Sequence, residues 1–118
     1  MRVFIEDDFA ASHQCPRLGP NHKCARLHGH TYHIRIEVAG QINMNTGMVV
    51  DFDTVKTAWN EVKLNLDHRH LNELLGDTPS AEIVGVYIYG QMMTRIPGVV
   101  LVEVRETPKA GAKIGKYP

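Results

Sequence analysis

The stretch HKCARLHGHTYHIRIEV, residues 22 to 38, constrains the fold more than any other part of the chain. Four of the chain's seven histidines fall within its first twelve positions, together with Cys24, and an apolar alternation follows. His28, His30, Tyr32, Ile34, Ile36 and Val38 share one parity, and Gly29, Thr31, His33, Arg35 and Glu37 share the other. Successive strand residues point to opposite faces, so the segment predicts a strand with one buried and one solvated face. That alternation favours an antiparallel sheet. His28 and His30, two apart, project to one side, and Gly29 leaves the other side open.

The other elements read in order around this strand. Val3, Ile5, Phe9, Ala11 and His13 give a first strand over 2–13, its parity broken by Asp7. An Asn-rich turn over 40–47 precedes a short third strand over 48–52. Asp53 is expected to cap a helix running to about Leu66, with Val55, Ala58, Trp59, Val62 and Leu66 at helical spacing. LDHRHLNEL reads as a polar loop or short helical turn. Thr78 caps a second helix with Pro79 at its first position; IPG ends it. A last strand spans 99–107, with Val100, Val102, Val104 and Glu106 on one face, and the tail PKAGAKIGKYP reads as irregular. The expected class is α+β: one domain over residues 1–118, an antiparallel four-stranded sheet with two helices on one face. The open edges of so small a sheet point to an oligomer.

Composition narrows the function. Thirteen basic residues balance thirteen acidic ones, which disfavours nucleic acid as a partner. No apolar run approaches the ~20 residues that span a bilayer. MRVFIEDDF carries two acids where a signal peptide has its apolar core, so a cytoplasmic protein is expected. There Cys15 and Cys24 are thiols rather than a disulfide.

If the first two strands are antiparallel neighbours, His13, His28 and His30 meet at one rim of the sheet. Three histidines with an open fourth position is the arrangement expected of catalytic Zn2+, whose open site polarises a bound oxygen. Cys24 could instead close the site, making the metal structural. His33 reads as surface, and His22 as either solvated or facing an anionic ligand. Cys24 stands between Lys23 and Arg26, where positive charge favours thiolate, or is a small buried residue. Cys15 has no assigned role. In Asp67-His68 the acid orients the imidazole, which could take a proton from a cysteine. Glu106 among valines needs a partner: a salt bridge, or a ligand carrying adjacent N–H donors.

FAASH, CARLHGH, TGMVVDF, LDHRHLNEL, TPSAE and VRET follow one another in an order that closely resembles the 6-pyruvoyl-tetrahydropterin synthase family, across residues 4 to 110. The three-residue gap in C-x-x-x-H-G-H is similar to the bacterial 6-carboxytetrahydropterin synthases of queuosine biosynthesis. Ala10 stands where those relatives commonly have Glu. The resemblance implies a T-fold in which three sheets close into a barrel, two trimers stack as a homohexamer, and active sites lie between subunits. It implies Zn2+ on His13, His28 and His30, a catalytic role for Cys24 and for Asp67 with His68, and a pterin-anchoring Glu106 beside Thr107. Lys23 and Arg26 are then expected near the triphosphate. The implied reaction is lyase conversion of 7,8-dihydroneopterin triphosphate to 6-carboxy-5,6,7,8-tetrahydropterin, acetaldehyde and triphosphate. The alternatives are 6-pyruvoyl-tetrahydropterin formation and a zinc-stabilised pterin-binding oligomer without turnover.

Overall fold

The alternation in the first two segments produces a long hairpin-like pair. In the computed structural model, which describes residues 1–116, β1 (Arg2–His13) and β2 (His28–Ala39) run antiparallel along their whole length. Ile5 lies opposite Ile36, Phe9 opposite Tyr32, and His13 opposite His28. The expected parity of both strands holds: Ile5, Phe9, Ala11, Tyr32, Ile34, Ile36 and Val38 are buried. Phe9 and Tyr32 stack with ring centroids 4.8 Å apart, and Trp59 of α1 (Phe52–Lys63) tilts against Phe9 at 6.1 Å.

The sheet has five strands rather than four, in the order β3-β1-β2-β4-β5, and it is mixed rather than purely antiparallel. β3 (Arg69–His70) is a two-residue strand parallel to β1, formed inside the expected polar loop. The third strand expected over 48–52 does not form; Met48 makes an isolated bridge to Asn43, and α1 begins at Phe52. β5 (Ala110–Gly115) forms from the tail expected to be irregular, antiparallel to β4 (Val99–Thr107). Main-chain pairing holds it, and Ile114 seats against Gly85. A Cβ at Gly111 would come within 2.3 Å of the Val104 carbonyl oxygen, so only glycine allows this approach. Tyr117 and Pro118 of that tail lie outside the described residues.

Among the described residues there are three α-helices rather than two: α1, α2 (Leu71–Leu75) and α3 (Ala81–Arg95). Both long helices are capped by a residue other than the expected one. Asp51 accepts from the Asp53 N–H at 2.8 Å, and Ser80 accepts from the Ile83 N–H at 3.3 Å. Starting α3 after Ser80 buries Ala81, Val84, Gly85, Ile88 and Met92 and leaves Ile83 and Val86 exposed. A register shift between Glu37 and Val38 sets Val99 opposite Val38, so Val99 rather than Val100 joins Val102 and Val104 in the core. Among the described residues, no helix is long and apolar enough to cross a membrane.

Asp7, which breaks the apolar parity of β1, has a structural use. Its Oδ2 accepts from Trp59 Nε1 at 2.7 Å and from Lys63 Nζ at 3.0 Å, tying α1 to the sheet. Burial opposes the charged form, but these hydrogen bonds outweigh it and hold the carboxyl below its ordinary range. A lowered folded-state value means the contribution is complete above the unfolded value and is lost as the pH falls through the folded one. Asp7→Asn should therefore lower stability by about 0.5–1.5 kcal/mol at neutral pH in a denaturant melt. The gap to the native protein should close in acid, as the native carboxyl protonates.

Candidate metal and active site

The pairing of His13 with His28 brings three imidazoles to one rim of the sheet. Ring centroids are 4.4 Å apart for His13–His28, 5.1 Å for His13–His30 and 4.9 Å for His28–His30. One nitrogen from each ring lies within 4.8 Å of the others. Among the described residues this cluster comprises the three histidines, and Cys24 is outside it.

Two of the rings are held by backbone carbonyls. His13 Nδ1 lies 2.7 Å from the Pro79 carbonyl and His28 Nδ1 2.7 Å from that of Arg26. A carbonyl can only accept, so each Nδ1 carries the proton and each Nε2 presents its lone pair. Such second contacts orient metal-binding histidines. Nε2 of His13 and of His30 are buried without a hydrogen-bond partner, as is the Tyr32 hydroxyl. Orphaned buried nitrogens of this kind fit a cation held between them. Burial pushes the His30 imidazole below its ordinary value, with Glu106 opposing, which favours the neutral form that can ligate.

Glu106 reaches this group from β4. Its carboxylate oxygens lie 4.0 Å from His13 Nε2 and 3.9 Å from His30 Nε2. At those distances neither nitrogen is hydrogen-bonded to it. Thr107, next along, is exposed and accepts from the Lys109 N–H at 3.2 Å.

Cys24 sits half-buried on a 3-10 turn, Lys23–Ala25, that leads into β2. Its backbone is pinned at both ends. The Cys24 N–H donates to His22 Nδ1 at 3.1 Å, and its carbonyl accepts from the Cys15 N–H at 2.8 Å. The second bond ties the turn to the chain just beyond His13. His22 is thus a cap, a use that neither earlier reading anticipated. Lys23 and Arg26 flank the cysteine and are exposed. Burial pushes the Cys15 thiol up, and the charge of Glu106 and Glu82 adds to it.

The Asp67-His68 pair is docked onto β1. Asp67 Oδ1 accepts from the Ala10 N–H at 3.0 Å, and the His68 N–H donates to the Ala10 carbonyl at 2.6 Å. His68 alone among the described non-glycine residues has a positive φ, 58°. That sparsely populated conformation places its Nδ1 3.0 Å from Asp67 Oδ2 while leaving the ring 82% exposed. The hydrogen bond from Ala10 leads in holding the Asp67 carboxyl below its ordinary range, with His68 adding to it. Two further steps extend the docking. Ser12 Oγ lies 3.0 Å from His70 Nδ1, and Asn72 accepts from the Gln14 N–H at 2.9 Å while donating to its carbonyl at 2.8 Å. His70 and Asn72 therefore hold Ser12 and Gln14 in place. An open cleft of about 580 Å³ lies beside the rim, lined by Ser12, His30, Thr31, His68, Arg69 and His70 among others, with no carboxylate.

The α+β sheet and its rim of ligand-competent histidines define a small enzyme with a metal-capable site. The 6-pyruvoyl tetrahydropterin synthase family matches residues 2–116. A 6-carboxy-5,6,7,8-tetrahydropterin synthase of Synechocystis sp. is 36% identical over 118 residues, covering 94% of this chain and 90% of that protein. A 6-pyruvoyl tetrahydrobiopterin synthase of Drosophila melanogaster is 37% identical over 97 residues, covering 74% of this chain and 58% of that protein. The solved structure of Caenorhabditis elegans 6-pyruvoyl tetrahydropterin synthase superimposes with a TM-score of 0.89 at 22% identity, covering 99% of this chain and 96% of that one. The chain belongs to the 6-pyruvoyl tetrahydropterin synthase family, with its T-fold, and is an enzyme of the lyase type.

Two variants separate an open site from a closed one. Cys24→Ala should keep a full equivalent of bound metal by atomic absorption, whereas His28→Ala should weaken metal binding at least about 10-fold. Metal lost from Cys24→Ala would mean that sulfur completes the coordination. Asn72→Ala strands both backbone groups of Gln14 and should cost about 1–3 kcal/mol in a denaturant melt.

Proposed function

We propose that the chain is a zinc-dependent lyase that converts 7,8-dihydroneopterin triphosphate, with one water, to 6-carboxy-5,6,7,8-tetrahydropterin, acetaldehyde and triphosphate. The observation that carries this reading is the convergence of the His13, His28 and His30 imidazoles at one rim of the sheet. The likeness to the Synechocystis enzyme over 94% of the chain supports the choice of product.

His13, His28 and His30 would hold the Zn2+. When bound, it would polarise the oxygens of the substrate side chain and so acidify the adjacent C–H bonds. Cys24 Sγ takes and returns a proton at those carbons, its place set by His22 and Cys15. His68 is the second acid–base group. Asp67, held ionised by the Ala10 N–H, keeps the His68 ring oriented and stabilises its cation. Glu106, with Thr107 beside it, accepts the N–H donors along the pterin edge, and a carboxylate is the acceptor that such a paired edge requires. Lys23 and Arg26 flank Cys24 and supply positive charge to the triphosphate.

Among the described residues, β3 pairs with β1 at Ala11 and Ser12 and no strand pairs with the outer edge of β5. An edge left in this way supports closure of three chains into a barrel, with two trimers forming a homohexamer. The two free thiols support a cytoplasmic setting and a place in queuosine biosynthesis is the pathway reading we adopt.

Mass spectrometry of the reaction mixture tests the proposal. The expected result is 6-carboxytetrahydropterin with equimolar acetaldehyde and triphosphate. Release of triphosphate without acetaldehyde, giving a 6-pyruvoyl product, would move the enzyme to the other activity of its family. Neither product forming would overturn the proposal. Cys24→Ala should lower turnover by at least about 100-fold, in the range expected for losing one acid–base group.

A further inference from the structure

Tyr32 is fully buried, yet its hydroxyl has no hydrogen-bond partner. Its ring is otherwise well packed, stacked on Phe9 at 4.8 Å with planes 7° apart. Packing alone would be served equally by phenylalanine, and a buried hydroxyl left unpaired is a net cost. Its neighbours show where a partner belongs. Tyr32 follows His30 by two residues on the same face of β2, with ring centroids 5.5 Å from His30 and 6.0 Å from His13. The two other orphaned buried side-chain atoms among the described residues are Nε2 of those two histidines. The phenol also feels the charge of Glu106, whose carboxylate lies beside both nitrogens. Three unmet polar atoms thus belong to side chains packed against one another at one rim of the sheet.

We propose that Tyr32 is a further substrate-positioning residue, whose hydroxyl donates a hydrogen bond to the side-chain oxygen of a polyhydroxylated pterin held at the histidine rim. The inference rests on the pterin reading of that site and adds to it the group that distinguishes a hydroxylated side chain from a bare ring. A hydroxyl that is costly in the free protein and met only by ligand spends its energy on recognition. It would act from the floor of the site, whereas Glu106 would act on the heterocycle.

Fluorescence titration of the metal-loaded protein tests this, using neopterin, which carries the trihydroxypropyl chain, and unsubstituted pterin, which lacks it. Tyr32→Phe should weaken neopterin binding about 10-fold and leave pterin binding within about twofold, the signature of one lost hydrogen bond. Equal weakening for both probes, or no change for either, would overturn the role of the hydroxyl while leaving the pterin site intact. Failure of the native protein to bind either probe would overturn the pterin reading and this inference with it. The melting temperature of metal-free Tyr32→Phe should equal or exceed that of the metal-free native protein. A clear drop would show that the hydroxyl serves the fold instead and would also overturn the inference.

Discussion

Residues directly opposite in an antiparallel pair hold their Cβ atoms about 4.5–5.5 Å apart. Here that places His13 against His28, and the strand period brings His30 to the same face. A slip of one residue would turn the whole set to the other side of the sheet. The register is held by the burial of Ile5, Phe9, Tyr32, Ile34 and Ile36, each fully or almost fully removed from water. The apolar core and the histidine rim are therefore one device: the same alternation that buries the aliphatic half of β2 aims its first two histidines.

The second constraint is the docking of residues 67–72 along the end of β1. Ala10, Ser12 and Gln14 receive contacts from Asp67 and His68, His70, and Asn72 in turn. This ladder settles where His68 stands and why its backbone accepts a positive φ, since the bonds on either side over-determine it. It also delivers the chain to Pro79, whose carbonyl fixes His13. The proposed acid–base pair and a proposed metal ligand thus share one scaffold.

Much of this was legible in the residues. The parity of residues 28–38 declared β2 and its buried face, and His13 at the end of a parity-matched strand was enough to place three histidines together. The motifs around them carried the family. What escaped has physical reasons. β5 reads Ala-Gly-Ala-Lys-Ile-Gly, whose alternation rests on two alanines and one isoleucine among glycines and is too weak to declare a strand. β3 is two residues long and exists because side chains at 67, 70 and 72 hold it against β1. The caps fell on Asp51 and Ser80, each two positions from an equally good capping residue, and local propensity cannot rank such neighbours. The capping use of His22 and the unmet hydroxyl of Tyr32 escaped because a contact with a backbone N–H and an unpartnered atom leave no spacing signature.

The central claim is that three imidazoles hold the metal and leave one position for an oxygen. X-ray absorption at the zinc edge of the loaded protein tests it directly. The account predicts a first shell of nitrogen and oxygen only, at about 2.0–2.1 Å, with the multiple-scattering pattern of three imidazoles. A sulfur at about 2.3 Å would close the site and contradict it.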